Sequence, residues 1–432
     1  MPSGVKVRYR IDHKIKYHLF LIGDRVNNIK IAVIGCGPAG KSCAIDLAKK
    51  GFYVDIYEKD KIGGTCLNYG CTYITGLREM ADIINNLNLI KNNNDKNNHN
   101  KIVLEDIISF KDLQKRISLV QNKIREKLKE DIKAYPNIKL HFKEYSTEDF
   151  EDYDYIVYAT GKNYTSEYNG IRCLNHKDIV NLMELPEKIL IIGGGTVAAE
   201  YASIFSNFGS EVVVYVRSKF LKMIVDKDIR NYINKFIKFK ITKDKEEFGN
   251  LLKNDNYTKI LATGGRPKFE VDDYMRVIKK NEENNRKVEK NIFSCGDSSI
   301  GRGGNTPIAR MEGRIVAQNI FRSEKNMPLI KPNYEFIPNS IRMDLNISYV
   351  GRQTDNSITF PNTVGRGTFF RVSNHIGMNK LYYENNKIVG AISMTPSIEI
   401  IPYFAQYLKG VDIYRDFVEI HPSTDPFYGV IR

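Results

Sequence analysis

Short apolar runs that stop at glycine clusters punctuate the chain. Ile31-Ala32-Val33-Ile34 leads into Gly35-Cys36-Gly37-Pro38-Ala39-Gly40, a helical pattern follows from about Lys41 to Lys50, and Tyr53 to Tyr57 predicts a second strand ending at Glu58. The same succession returns at Ile189-Leu190-Ile191-Ile192, followed by Gly193-Gly194-Gly195-Thr196-Val197-Ala198. Unbroken apolar strands joined to glycine turns and helices point to parallel sheets covered on both faces. Between Leu77 and Ala134 the period is helical, interrupted from Lys91 to Asn100 by a polar stretch that cannot bury itself and predicts a mobile surface loop. Near the end, Leu381-Tyr382-Tyr383, a turn at Glu384-Asn385-Asn386 and the run Ile388 to Met394 predict a hairpin, with a helix from about Ser397 to Lys409.

The first glycine cluster has its strand, helix and acid in order. Gly35 permits a tight turn, Gly37 lets the backbone approach a pyrophosphate, and Gly40 lets helix pack on strand, while the free N–H groups of the helix start face the anion. Glu58, closing the second strand, is placed to accept both ribose hydroxyls of a dinucleotide. Just downstream stand two cysteines, Cys66 and Cys71, within Gly63-Gly64-Thr65-Cys66-Leu67-Asn68-Tyr69-Gly70-Cys71. A spaced dithiol beside a nucleotide site points to redox chemistry.

That segment resembles the active-site stretch of the flavoprotein disulfide reductases, the family of dihydrolipoamide dehydrogenase and glutathione reductase. The likeness runs on through Tyr158-Ala159-Thr160-Gly161, the second glycine cluster, Ala262-Thr263-Gly264-Gly265-Arg266-Pro267, Phe293-Ser294-Cys295-Gly296-Asp297, Thr306-Pro307-Ile308-Ala309 with Gly313-Arg314, and His421-Pro422. It implies an α/β fold with two Rossmann-like dinucleotide-binding domains, for FAD and NAD(P), and a C-terminal α+β dimerisation domain. The corresponding segments are an N-terminal extension (1–28), the FAD domain (29–161), the NAD(P) domain (162–264), a returning FAD segment (265–330) and the dimerisation domain (331–432).

By the same likeness Cys66 is the interchange thiol, Cys71 the thiol beside the flavin, and His421, supplied across a homodimer, the acid–base residue. FAD is expected at Gly35, Gly37, Pro38, Ala39, Gly40, Glu58, Lys59, Gly64, Thr65, Thr160, Gly161, Asp297, Thr306 and Ala309. The nicotinamide coenzyme is expected at Gly193, Gly195, Thr196, Val197, Glu200, Arg217, Lys222 and Gly264. The implied activity is transfer of electrons between NAD(P)H and a small disulfide or dithiol, with no metal. Lipoamide, glutathione disulfide and coenzyme A disulfide all stay open as substrates. So do two other classes: a flavin NAD(P)H oxidase, quinone reductase or transhydrogenase, and a non-enzymatic FAD-binding protein. The dithiol argues against both, since neither needs it.

Three positions depart from the family. Thr75 stands where a lysine is usual, which leaves Glu200 without its expected partner and, if buried, pushed toward its neutral form. Pro426 replaces the glutamate that orients the base, with Asp425 one residue early, and Thr196 replaces an aromatic lid. In the second nucleotide unit the position equivalent to Glu58 is Val216, with Arg217, Lys219 and Lys222 close by. A missing carboxylate and added cations favour a 2′-phosphate, hence NADPH over NADH.

Composition sets limits. The chain has 432 residues, enough for two or three domains. Its six cysteines are too scattered for a secreted disulfide framework, and neither a membrane-length apolar run nor a signal-peptide block is present, so a soluble cytoplasmic protein is expected. The net charge of +14 comes from lysines spread among asparagine and isoleucine, not striped along one element, which argues against a nucleic-acid partner. Residues 1–28, basic from Lys6 to Lys16 and apolar from Leu19 to Ile22, match no pattern; an extra strand, a disordered arm and a start codon placed too early are all open, while Asp12 and Asp24 argue against a transit peptide.

Overall fold

The computed structural model describes residues 28–94, 101–145, 152–280, 285–301, 304–361, 377–394 and 400–410. The first unit runs β1 (Lys30–Ile34), α1 (Pro38–Lys49), β2 (Tyr53–Tyr57), α2 (Gly64–Asn68), α3 (Cys71–Asn94), α4 (Phe110–Lys133), β3 (Ile138–His141) and β4 (Tyr155–Tyr158). A ribbon, β5 (Glu167–Tyr168) and β6 (Ile171–Arg172), and the short α5 (His176–Ile179) lead to the second unit. That unit is β7 (Lys188–Ile192), α6 (Thr196–Phe208), β8 (Glu211–Tyr215), α7 (Lys227–Asn234), β9 (Lys240–Thr242), α8 (Lys245–Lys253) and β10 (Thr258–Leu261). The chain then returns through β11 (Arg276–Lys280), β12 (Arg286–Ser294) and α9 (Thr306–Glu324). It ends, among the described residues, in β13 (Asn339–Ile341), β14 (Ile347–Gly351), β15 (Ser357–Pro361), β16 (Met378–Glu384), β17 (Lys387–Ser393) and α10 (Ile400–Leu408).

Three main sheets result. The first has the order β11-β12-β4-β1-β2-β3, parallel except for the edge strand β11, and the second has the parallel order β10-β7-β8-β9. The third is antiparallel, β13-β14-β17-β16-β15. In β1 and β7 an exposed lysine precedes four buried apolar residues, because helices cover both faces of a parallel sheet. The two crossings between the nucleotide units pair with each other, Asn163 and Arg266 exchanging backbone hydrogen bonds of 2.9 and 2.8 Å. No helix among the described residues is long and apolar enough to cross a membrane.

The expected hairpin is present, with Asn385 and Asn386 at φ 49° and 60°, the left-handed pair that a two-residue turn requires. The helix before Lys91 runs further than its composition suggested, to Asn94, and the helix expected from Ser397 is seen over Ile400–Leu408. Helix α1 starts at Pro38, earlier than its polar pattern implied, because proline is already shaped for a first helical turn. Residues 95–100, the rest of the polar stretch, and the N-terminal 27 residues lie outside the described residues.

Two packing features position the site. Helix α9, distant in sequence, lies against α1 so closely that a Cβ on Gly313 would stand 2.3 Å from Ala39 O. Helix α3 packs on α6, and one apolar cluster runs from Tyr73, Leu77 and Ala81 through Tyr201, Phe205 and Phe208 to Ile341, Ile347 and Tyr382. Within it sits a fully buried Arg78, whose guanidinium donates to Asp82 (2.8 Å), to Ser203 Oγ (2.8 Å) and to Asp344 (3.2 Å). Lys238 also reaches Asp344, at 3.0 Å. Burial alone would push the Asp344 carboxyl up, but Lys238 and Arg78 outweigh it and hold the group below the usual carboxylate range. Removing one partner of a buried pair typically costs about 3–5 kcal/mol. Arg78→Ala should therefore lower stability by about 3 kcal/mol, the lower end because Lys238 remains, as read from the urea midpoint; a loss below about 0.5 kcal/mol would show the knot to be dispensable.

Candidate active site

The first glycine cluster makes a cradle whose outer glycines, Gly35 and Gly40, have no room for a side chain. Gly35 has φ +103°, and a Cβ there would lie 2.4 Å from Ala159 O; one on Gly40 would lie 1.9 Å from Gly35 O. No side chain caps α1 behind extended Gly37 and Pro38, so its first N–H groups are open to an anion. The cysteine segment is seated on this same loop: Gly63 N–H donates to Cys36 O at 2.8 Å, and a Cβ on Gly64 would meet Gly37 Cα at 2.8 Å. Glu58 is buried and held by the N–H groups of Cys36 (2.8 Å) and Asp60 (2.9 Å), one on each oxygen, with lone pairs left for hydroxyls. Lys59 makes a surface ion pair with Glu144 at 2.7 Å.

Asp297 accepts the Gly304 N–H at 2.8 Å and pairs at 3.3 Å with Lys162, which follows exposed Thr160 and half-buried Gly161. Its turn is fixed by a buried Glu312, which accepts from Gly296 N–H (2.6 Å) and the Tyr334 hydroxyl (2.8 Å). Gly296 in turn packs against Ala39 and Ala309. The glycine cradle, Glu58, Gly64, Thr65, Asp297, Thr306 and Ala309 thus belong to one connected surface, and the residues fit an FAD.

Cys66 lies within α2, and Cys71 opens the 24-residue helix α3, where the helix dipole favours negative charge. The loop between them is tied down by Asn68, whose amide donates to Lys61 O, Ile62 O and Gly64 O at 3.0–3.3 Å. From α4, Gln121 donates to Leu67 O and Asn68 O, and Arg125 to Asn68 Oδ1 at 2.6 Å. Both cysteines are free thiols, and Cys71 Sγ lies 3.8 Å from Thr306 Oγ1. A hydrogen bond from Cys71, helped by the Thr306 hydroxyl and the Arg310 charge, draws Cys66 down to about 6 against the cost of burial. The same shared bond, with burial, pushes Cys71 up, so the pair carries one negative charge at neutral pH. The other cysteines go the opposite way: burial pushes Cys36 up to about 12 and raises Cys43, Cys173 and Cys295.

The second cradle repeats the first. Gly193, at φ +139°, would place a Cβ 2.4 Å from Ala262 O, while Gly195 and Gly264 border open space. Thr196 opens α6 and Val197 is exposed. The chain after β8 folds back over Gly194, Leu221 N–H donating to Gly194 O at 2.7 Å, so that Val216 is buried while Arg217, Lys219 and Lys222 are exposed beside the glycines.

A sequence model described as pyridine nucleotide-disulphide oxidoreductase matches residues 29–313. The chain belongs to that family. It is 57% identical over 405 residues to an uncharacterized protein of Methanocaldococcus jannaschii, covering 94% of this chain and 98% of that one. It is 23% identical over 448 residues to the dihydrolipoyl dehydrogenase of Bacillus subtilis, covering 91% and 95%. Among solved structures, the HOCl-induced flavoprotein disulfide reductase RclA of Escherichia coli superposes with a TM-score of 0.68 at 20% identity, over 92% of this chain and 98% of that one, which shows a shared fold. Members of the family use FAD and NAD(P)H.

Glu200 is pushed toward its neutral form, as expected without the usual lysine, but a different cation stands near it. Glu200 does not stand alone: the Arg342 N–H donates to its Oε1 at 3.0 Å, and the Arg342 guanidinium donates to Thr75 Oγ1 at 3.3 Å. Burial still pushes Glu200 up to about 7, with Arg342 opposing and the charge at Cys71 adding to the rise. Arg342 carries no local motif, whereas Arg310 was within reach of the sequence, one helical turn after Thr306 on the same face. His421, Asp425 and Pro426 lie outside the described residues. Because only Cys66 is drawn below neutrality, iodoacetamide should label it first in the reduced protein, with the rate half-maximal near pH 6. Thr306→Ala should move that midpoint upward; peptide mapping that finds Cys71 labelled first would contradict this electrostatic order.

Proposed function

We propose that the protein is an FAD-dependent NAD(P)H:disulfide oxidoreductase acting on a small disulfide, like dihydrolipoyl dehydrogenase, through the redox pair Cys66 and Cys71. One observation carries this reading. Of six cysteines, Cys66 and Cys71 share a hydrogen bond beside the first nucleotide cradle, and only Cys66 is drawn to the thiolate, while the four outside this pair are buried and raised.

FAD, when bound, would supply the two-electron relay between NAD(P)H and the Cys66–Cys71 disulfide. The protein's part is to place and protonate. The cradle at Gly35, Gly37 and Gly40 would hold the pyrophosphate, Glu58 the ribose, and Asp297 the chain between pyrophosphate and flavin. Cys66 thiolate attacks the substrate disulfide, expelling one thiol and forming a mixed disulfide; Cys71 then displaces the second thiol and restores the Cys66–Cys71 bond. Each leaving sulfur takes up one proton, for which His421 from the second subunit of a homodimer is the proposed donor. In total, NAD(P)H, one proton and RSSR give NAD(P)⁺ and two RSH. We place this activity in the cytoplasm.

Cys66→Ser should bind FAD and accept electrons from NAD(P)H, yet lose turnover with lipoamide, glutathione disulfide and coenzyme A disulfide. Anaerobic titration of the wild type should consume two electrons at the disulfide and develop long-wavelength thiolate-to-flavin absorbance. Absence of that absorbance, together with full rates in Cys66→Ser using oxygen or a quinone, would replace this reading with an oxidase or quinone reductase.

The second cradle supports NADPH, since Val216 offers no carboxylate and Arg217 and Lys222 are exposed beside it. A charge-assisted hydrogen bond contributes about 1.5–3 kcal/mol, so Arg217→Ala should lower kcat/KM for NADPH roughly ten- to a hundredfold and leave NADH unchanged. Equal use of both coenzymes by wild type and variant would assign Arg217 to the solvated surface.

A further inference from the structure

The buried face between α3 and α6 brings together groups that the disulfide chemistry above does not use. Where α3 packs on α6, Glu200 lies within electrostatic reach of Cys71 and Arg78 of α3, and it accepts the backbone N–H of Arg342, which follows β13 of the third sheet; its neighbour Tyr201 is fully buried and stays protonated. Arg78 is committed to Asp82, Ser203 and Asp344. Arg342 makes no ion pair with a carboxylate among the described residues, though its charge also reaches the Asp82 carboxyl on α3, which burial raises. Its main chain grips Glu200 at 3.0 Å and its guanidinium grips Thr75 at 3.3 Å, one turn along α3 from Cys71. A single arginine therefore bridges both helices beside the thiols.

We propose that Glu200 is the proton acceptor that accompanies reduction of the Cys66–Cys71 disulfide, and that Arg342 is its positioning residue, keeping the carboxylate ionised until negative charge appears on the thiols. The inference rests on the reading of Cys66 and Cys71 as the redox pair. The balance is simple. The disulfide gains two electrons and one proton to become one thiol and one thiolate, and Glu200 carboxylate takes a second proton from solvent, so that no second negative charge stands beside the first. Two like charges held close in a partly buried site cannot both persist cheaply, and the cation decides at which pH the carboxylate yields. The direction agrees with the static electrostatics: Cys66 and Cys71 share one proton through their hydrogen bond, the negative charge of the pair raises Glu200 from the Cys71 side, and Arg342 lowers it.

The test counts protons without measuring turnover. In FAD-loaded protein, the potential of the Cys66–Cys71 couple is measured against pH, its slope giving protons bound per two electrons. Near neutrality wild type should bind one proton more than Glu200→Gln, two against one at the thiols and Glu200, any proton at His421 being common to both. Arg342→Gln should move the two-proton range upward by about one pH unit. Arg342→Lys should behave as wild type, and Thr75→Lys added to Arg342→Gln should bring the range back, which a merely structural arginine would not allow. A wild-type slope unchanged in Glu200→Gln overturns the proposal, as does a shift in Arg342→Gln that Thr75→Lys leaves in place. Protein lacking any two-electron couple at Cys66 and Cys71 would instead overturn the disulfide reductase reading itself.

Discussion

A positive charge locked inside the protein governs the rest. Arg78 has no exposure, and a guanidinium removed from water must find fixed acceptors or destabilise the fold. Its three acceptors come from α3 itself, from α6 and from the segment after β13, so the rotation of α3 about its axis is set by groups in two other parts of the molecule. Cys71 and Thr75 lie one to two turns upstream on the same helix. Once Arg78 is satisfied, Cys71 faces Thr306 and Glu200, and Thr75 faces Arg342, with little freedom left.

The site shows how environment assigns different work to one residue type. Cys36 and Cys295 occupy apolar packing between α1 and the first sheet, where a thiolate would lose its solvation, and they remain inert. Cys66 meets a donor sulfur, a hydroxyl and a guanidinium, each of which prefers it charged. The chemistry follows from these neighbours more than from the number of thiols.

Much of this was legible along the chain because the signals are local. A glycine needed at Gly35, two asparagines needed at 385 and 386, and apolar runs such as Ile31–Ile34 all describe geometry made within a few residues. Lys59 shows where local signals stop: its place next to Glu58 in sequence does not encode the ion pair that it makes with Glu144, on a neighbouring loop. Arg342 was invisible for the opposite reason. Its value comes from two contacts more than 140 residues away in sequence, Thr75 and Glu200, and no spacing encodes such a meeting. The deficit at Thr75 was readable; the cation standing beside it was not.

The order of strands also sets a timetable. The second sheet is built from one continuous stretch, Lys188 to Leu261, and can close as soon as that stretch exists. The first sheet cannot: β12 must add beside β4, and α9 must settle on α1, after the whole second unit has been laid down between them. During synthesis the strands from Lys30 to Tyr158 therefore wait with one edge unpaired and the Ala39 face of α1 uncovered until residues beyond Arg286 emerge. The segment that completes the flavin cradle is the same one that ends this exposure, so the nascent chain becomes protected against aggregation and competent for cofactor in a single event.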